Sequence, residues 1–314
     1  MKASLQESGE WSIEATEGDK PLSGPYLSTL KRYLQCMTPA FTGAHERCEF
    51  EFILALLRVR GIQDAGWDPF ETTLRAIPAM TVVHESMTDL EAARHLHLWI
   101  YGHILEASEP YELLANMIAI SQGGRWFAQR FPPVPGKGNR PPRELSPGEK
   151  IVSMERVASA ASMPQVATPL REIWDRELRN AVFHADYVLH GSEVRILRPH
   201  PKKYSNERVM ELVNGAHAYH TAIKILYRAH VGMYTESNVI PVHPEFSPDP
   251  DDRAVILVRE GHGVIGMRDA WTAEEIAAGR VTHLIGNFRA EELTTLHRDR
   301  TVTVFPAETP PKFE

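Results

Sequence analysis

Between Ser205 and His230 the chain repeats apolar residues three and four apart. Val209, Leu212, Val213, Ala216, Tyr219, His220, Ile223 and Tyr227 fall on one side of a helix that Ser205 caps. A stripe of that length leaves water only if other elements lie along it, which commits the chain to a layered, helix-rich core. Helical partners are written upstream. YLSTLKRYLQCM and ERCEFEFILALLRVRG carry the same spacing, the second ending at Gly61. T-D-L-E opens a long helix with Thr88 as N-cap and Glu91 reaching back, which ends near Ala107. Ser108 caps EPYELLANMIAIS, and Gly123-Gly124 stops it. Another helix covers the stretch from Pro147 to Ser162, and Thr168-Pro169 opens the next, with Thr as N-cap and Pro at the first helical position.

Strand signals follow. YVLHGSEVRIL alternates around His190-Gly191-Ser192 as a short hairpin, and VIPVHPEFSPDPDDR reads as a linker by composition. Beyond it AVILVR, VIGM, RVTHLIG and TVTVFP are strand-like, with TAEEIAAG and RAEEL as short helices between them. Gly261-His262-Gly263 is a hairpin turn, because a phosphate loop needs a following helix and a lysine. The expected chain is mainly α. It divides into a loose polar tail over residues 1–25, a helical region over 26–83, a helical domain over 84–235, a linker over 236–252 and a small α+β module over 253–314.

Composition bounds the function. A chain of 314 residues with 43% hydrophobic content can bury a real core, and a net charge of −7 argues against a globally basic nucleic-acid coat while leaving room for a local basic groove. Cys36 and Cys48 form no disulfide framework and have no metal spacing, so a reducing, cytoplasmic setting is expected. No apolar run reaches membrane-spanning length, and the acidic start lacks the pattern of a signal peptide. His95 and His97 point about 160° apart on a helix and cannot chelate together. His217 and His220 share a face but lack a third ligand nearby, so no metal or cofactor is expected.

The segment RELRNAVFHADY carries Arg179, Asn180 and His184 at the end of a helix, directly before the hairpin. An arginine followed by a histidine four to six residues later resembles the signature of the HEPN superfamily, helical domains of which many cleave RNA. The chain's 25 arginines and 15 histidines yield two such pairs. Arg195 with His200 lies on an expected strand running into Pro199 and Pro201, whereas Arg179 with His184 closes a helix and has a polar residue after the arginine, as in the family. The order of elements over residues 84–235 also resembles the family: a long helix, a second ending in Gly-Gly, a variable loop, the motif helix, a hairpin and a closing helix. YGHILEASEPYELLANM resembles its first helical pair.

The resemblance implies a HEPN-like bundle acting as a homodimer on RNA, with His184 as base or acid, Arg179 holding phosphate, and Asn180 orienting His184 or the substrate. It further implies a toxin or phage-defence effector held by an antitoxin or other regulatory protein, or else a non-catalytic module binding nucleotide, RNA or protein. On one ideal helix Arg179 and His184 lie about 140° apart, too far to grip one phosphate, so either the helix deforms at its end or two motifs meet across a symmetric dimer, as the resemblance implies; the dimer is the preferred reading. By family analogy Glu106 faces the motif helix. Arg179 also stands in ion-pair register with Asp175, and His184 can serve merely as a cap.

The Pro- and Gly-rich loop from Gly124 to Lys150 has six basic residues against two acidic ones. Arg125, Trp126, Arg130, Lys137, Arg140 and Arg143 are therefore candidate RNA contacts. Lys202 and Lys203, beside Arg198, form a weaker one.

Overall fold

The computed structural model describes residues 2–6, 10–14, 24–58, 69–136, 138, 141–198, 200–247, 249–270, 274, 283–286, 288 and 303–304. In chain order the elements are β1 (Lys2–Leu5), β2 (Trp11–Glu14), α1 (Gly24–Arg47), α2 (Glu49–Leu57), α3 (Pro69–Ser86), α4 (Leu90–Glu106), α5 (Ser108–Ser121) and α6 (Pro147–Ala160). A 3-10 turn (Pro164–Ala167) leads into α7 (Thr168–Ile173) and α8 (Arg176–Phe183), then β3 (Tyr187–His190), β4 (Glu193–Ile196), β5 (Lys202–Tyr204) and α9 (Asn206–Gly232). β6 (Val239–Pro241), β7 (Arg253–Arg259), β8 (Gly263–Asp269), β9 (His283–Gly286) and β10 (Thr303–Val304) follow. The chain is mainly helical, as expected, with small sheets.

Two compact units form. One comprises Met1–Pro39, Pro69–Glu112 and Phe131–Leu226, the other Ala40–Asp68, Leu113–Arg130 and Tyr227–Glu314. These differ from the contiguous segments that composition suggested: three of the divisions fall inside α1, α5 and α9, and the other two lie at the start of α3 and in the loop between α5 and α6.

In the first unit, apolar stripes of the helices converge. Leu34, Leu74, Tyr101, Ile104, Met154, Leu170, Leu212 and Ile223 are all essentially inaccessible. α4 packs against α3 and α8, and β3, β4 and β5 form an antiparallel sheet whose middle strand also meets α8. The polar start is not entirely loose: β1 and β2 pair antiparallel, Leu5 opposite Trp11, and the buried Trp11 indole donates to Thr38 Oγ1 at 2.8 Å. One buried aromatic with a satisfied N–H anchors an otherwise polar hairpin.

Local signals settled differently in three places. Asp89 rather than Thr88 caps α4, its carboxylate accepting the N–H groups of Glu91 and Ala92. α6 has the capping box instead, Ser146 with Glu149. The helix expected to run on from Thr168 is broken at Trp174, with Ala167 rather than Thr168 preceding α7 as its cap.

In the second unit α2 is buried from Phe50 to Leu57 and lies against β6 and β8. It stops at Leu57, four residues before Gly61, because Arg58 takes the left-handed conformation (φ 50°) and its N–H returns to Leu54 O. The sheet order is β10-β9-β8-β7-β6, antiparallel except for β9 with β10. β6 therefore takes three residues of the expected linker into the sheet. Gly261 and Gly263 both have positive φ in the β7–β8 turn, matching the expected hairpin. The segments TAEEIAAG and RAEEL lie outside the described residues, apart from the helical Glu274.

Candidate functional site: an arginine-lined cleft at the motif helix

The break before α8 is built by a tyrosine from far away in sequence. Buried Tyr101 on α4 donates its hydroxyl to Ile173 O at 2.8 Å and accepts the Asp175 N–H at 3.3 Å, so both backbone groups freed by the break are satisfied. Burial raises the pKa of this phenol. Asp175 then caps α8, accepting Leu178 N–H at 3.0 Å and the Tyr204 hydroxyl at 2.9 Å through the same oxygen. The alternative role of Arg179 as an ion-pair partner of Asp175 is not the one it takes, and that carboxylate caps the helix and lies 3.6 Å from Lys202.

Arg179 turns towards α4. Its guanidinium pairs with Glu106, donates to Asn180 Oδ1 at 2.7 Å and lies over the Phe183 ring, 5.1 Å from the centroid. Only 17% of the side chain is exposed, and burial lowers its pKa from the ordinary arginine value. Gly102 on α4 permits this approach, because a Cβ there would lie 2.8 Å from the Phe183 ring. α8 ends with His184, whose backbone N–H returns to Asn180 O, and Ala185 follows in the left-handed conformation with Asp186 N–H bonded to Ala181 O. His184 is exposed.

A cleft of about 710 Å³ opens beside the start of α8. Arg143, Arg176, Arg179, Asn180 and Trp174 line it, with Ser146, Glu149 and the first turn of α6. The chain thus brings Arg179, Asn180 and Arg143 together, while His184 is not among the lining residues. Arg143 is held bidentate by Glu149 at 2.6 and 2.8 Å, and this pairing with the Ser146 contacts lowers the Glu149 carboxyl to about 2. Arg176 has no hydrogen-bonding or ion-pair partner among the described residues, which leaves it as the cation most ready for an anionic ligand. Two other clefts, of about 460 and 570 Å³, do not include these residues, and in the smaller one Arg32 and Arg208 are neutralised by Glu172 and Glu211.

The remaining candidate RNA contacts are dispersed. Arg125 lies 3.6 Å from the fully buried Glu51, pairs with Glu245 and covers the Phe246 ring, and Trp126 N–H donates to Glu51 at 2.7 Å. Arg130 donates to Asn116 Oδ1 at 2.8 Å and stacks on Phe127. These residues tie their own loop down within the second unit. Lys202 meets Glu177 at 2.7 Å and Asp175 at 3.6 Å on β5, while Lys203 is exposed on the same strand. Lys137 and Arg140 lie outside the described residues.

Arg176 and Trp174 were missed by sequence reasoning, the second because it continues the apolar stripe of the motif helix. The available signal was the dipeptide Trp174-Asp175, a capping residue set where a helix was assumed to continue.

The histidines on α4 and α9 have partners of several kinds: His95 Nδ1 lies 2.6 Å from the Tyr187 hydroxyl, and His230 stacks on Phe41. His84 stacks on His97 with centroids 3.5 Å apart, and burial, aided by neighbouring imidazoles, lowers His97 and His217 to about 4 and His220 to about 3. Among the described residues no group of three or more His, Cys, Asp or Glu is placed to hold a metal ion, and no described helix is long and apolar enough to cross a membrane. Comparison with protein-family models, curated proteins and solved structures finds no match for this chain.

Proposed function

We propose that the chain is a metal-independent endoribonuclease of HEPN type that works as a homodimer. The 2′-oxygen of the substrate attacks the adjacent phosphorus and the bond to the 5′-oxygen breaks, leaving a 2′,3′-cyclic phosphate and a 5′-hydroxyl. RNA supplies this nucleophile itself, so the protein need only move two protons and stabilise charge on the phosphoryl oxygens. Arg179 fits the second task through its planar fork of donors, one of which Asn180 Oδ1 holds. His184, an exposed imidazole whose ring nitrogens can accept or donate a proton, fits the first.

The observation that carries this reading is the joined pair Arg179–Asn180 lining an arginine-rich cleft, on the helix that His184 closes. His184 falls outside the cleft of its own chain, which is why the reading includes a second copy that brings its own motif alongside. A toxin or phage-defence role in the cytoplasm, restrained by an antitoxin, belongs to the same proposal. The alternative is a non-catalytic module that binds nucleotide, RNA or a protein partner. It is favoured by the carboxylates already seated on Arg143 and Arg179.

The test is product analysis on a short RNA and on the same sequence made as DNA. Cyclic-phosphate ends from the RNA and an intact DNA are expected. Equal cutting of both, or 3′-hydroxyl ends, would remove the proposed chemistry.

A further inference from the structure

Trp174 stands at the break between α7 and α8 with φ −78° and ψ 113°, an extended residue between two helices. The break turns its side chain out of the apolar stripe that it would have continued, and the ring lines the cleft with Arg176, Arg179 and Asn180. Two contacts fix it. Tyr101 holds the backbone on either side, at Ile173 O and Asp175 N–H. Gly148, in the first turn of α6, receives the ring edge so closely that a Cβ there would lie 2.7 Å from Cζ2. The ring is half-buried, and among the described residues it has neither a stacking nor a cation–π partner. A large aromatic beside three arginines and an asparagine, with no ring or cation partner among the described residues, is an incomplete arrangement.

We infer that Trp174 is a stacking platform for a nucleobase adjoining the phosphate bound by Arg176 and Arg179, so that this base is unpaired when it is bound. This rests on the ribonuclease reading of the same cleft and specifies its substrate. Bases inside a duplex have both faces covered by their neighbours, so only an unpaired or splayed base can lie on the indole. Because every base has a π-face, the platform selects for strandedness and tolerates sequence. Its placement matters, since a backbone held on either side by Tyr101 and a ring seated against Gly148 have less freedom to lose on binding.

The test uses full-length protein and short 2′-O-methyl RNA, which lacks the nucleophile and stays intact, in single-stranded and duplex forms. Binding is read by fluorescence anisotropy for wild type, Trp174→Phe, Trp174→Leu and Trp174→Ala, with thermal melts to establish that each is folded. Leucine keeps an apolar contact with Gly148 but has no aromatic face, so it separates stacking from packing. Single strands should bind wild type and Trp174→Phe well, with roughly 10- to 100-fold weaker binding for the leucine and alanine variants. Duplex should bind weakly to all four. If single strands bind wild type and folded Trp174→Leu equally, or if duplex binds as well as single strands, the platform is refuted and the nuclease reading survives. If wild type binds neither form, the RNA-site reading falls together with the platform.

Discussion

Tyr101 makes the clearest case that one residue sets the site. Its hydroxyl serves both backbone groups left open between α7 and α8. Tyr101→Phe keeps the ring and orphans those groups, so unfolding free energy should drop by about 1–3 kcal/mol in urea titration, and an unchanged midpoint would show that the break is held by other contacts. Glu106 acts on the neighbouring cation. Neutralising it in Glu106→Gln leaves Arg179 more available to a polyanion, and at low salt the affinity for uncleavable RNA should rise by roughly two- to tenfold. Weaker binding would mean that Glu106 chiefly orients Arg179. The resemblance to a family pointed to Glu106, whereas nothing local pointed to Tyr101, because its partners lie more than seventy residues on.

At the scale of elements, the helices of residues 84–235 and the hairpin after them were legible because periodicity and caps are local properties. The break at Trp174 was not. Leu170, Ile173, Leu178, Ala181 and Val182 remain buried on either side of it, so the 3.6-residue pattern runs on through a place where the backbone does not. Asp175→Ala should therefore cost more than an ordinary cap, about 1–2 kcal/mol for the cap itself and more for the lost Tyr204 contact, as measured by thermal unfolding. The short strands β5 and β6 were hidden for another reason: each has three residues, too few for alternation to register. The β7–β8 turn, which composition did reveal, is demanding. Gly263 has φ 99°, and a Cβ there would sit 2.0 Å from Val231 O, so Gly263→Ala should unfold the second unit or sharply lower its melting temperature. A melting temperature matching wild type would contradict that geometry.

For the whole molecule, charge and cluster placement set the response to pH. His97, His217 and His220 are held neutral by burial, at about 4, 4 and 3 against an ordinary 6.5. The unfolded chain takes up protons at these positions as pH falls through 6.5 while the native chain refuses them. Stability from these groups is thus complete above pH 6.5 and is lost progressively down to about pH 3–4. His217→Gln should flatten the fall in urea midpoint across that window, and parallel curves for the two proteins would exclude the mechanism. Division into units was the least legible feature, because it passes through helices that each look continuous in sequence. The functional expectation rested on a motif alone, and the structure adds the cleft in which two of its three residues meet. The decisive measurement is cleavage of total cellular RNA in excess EDTA by wild type, Arg179→Ala and His184→Ala. The account predicts cutting by wild type that both variants lose; undiminished cutting by either folded variant, or none by folded, dimeric wild type, would contradict it.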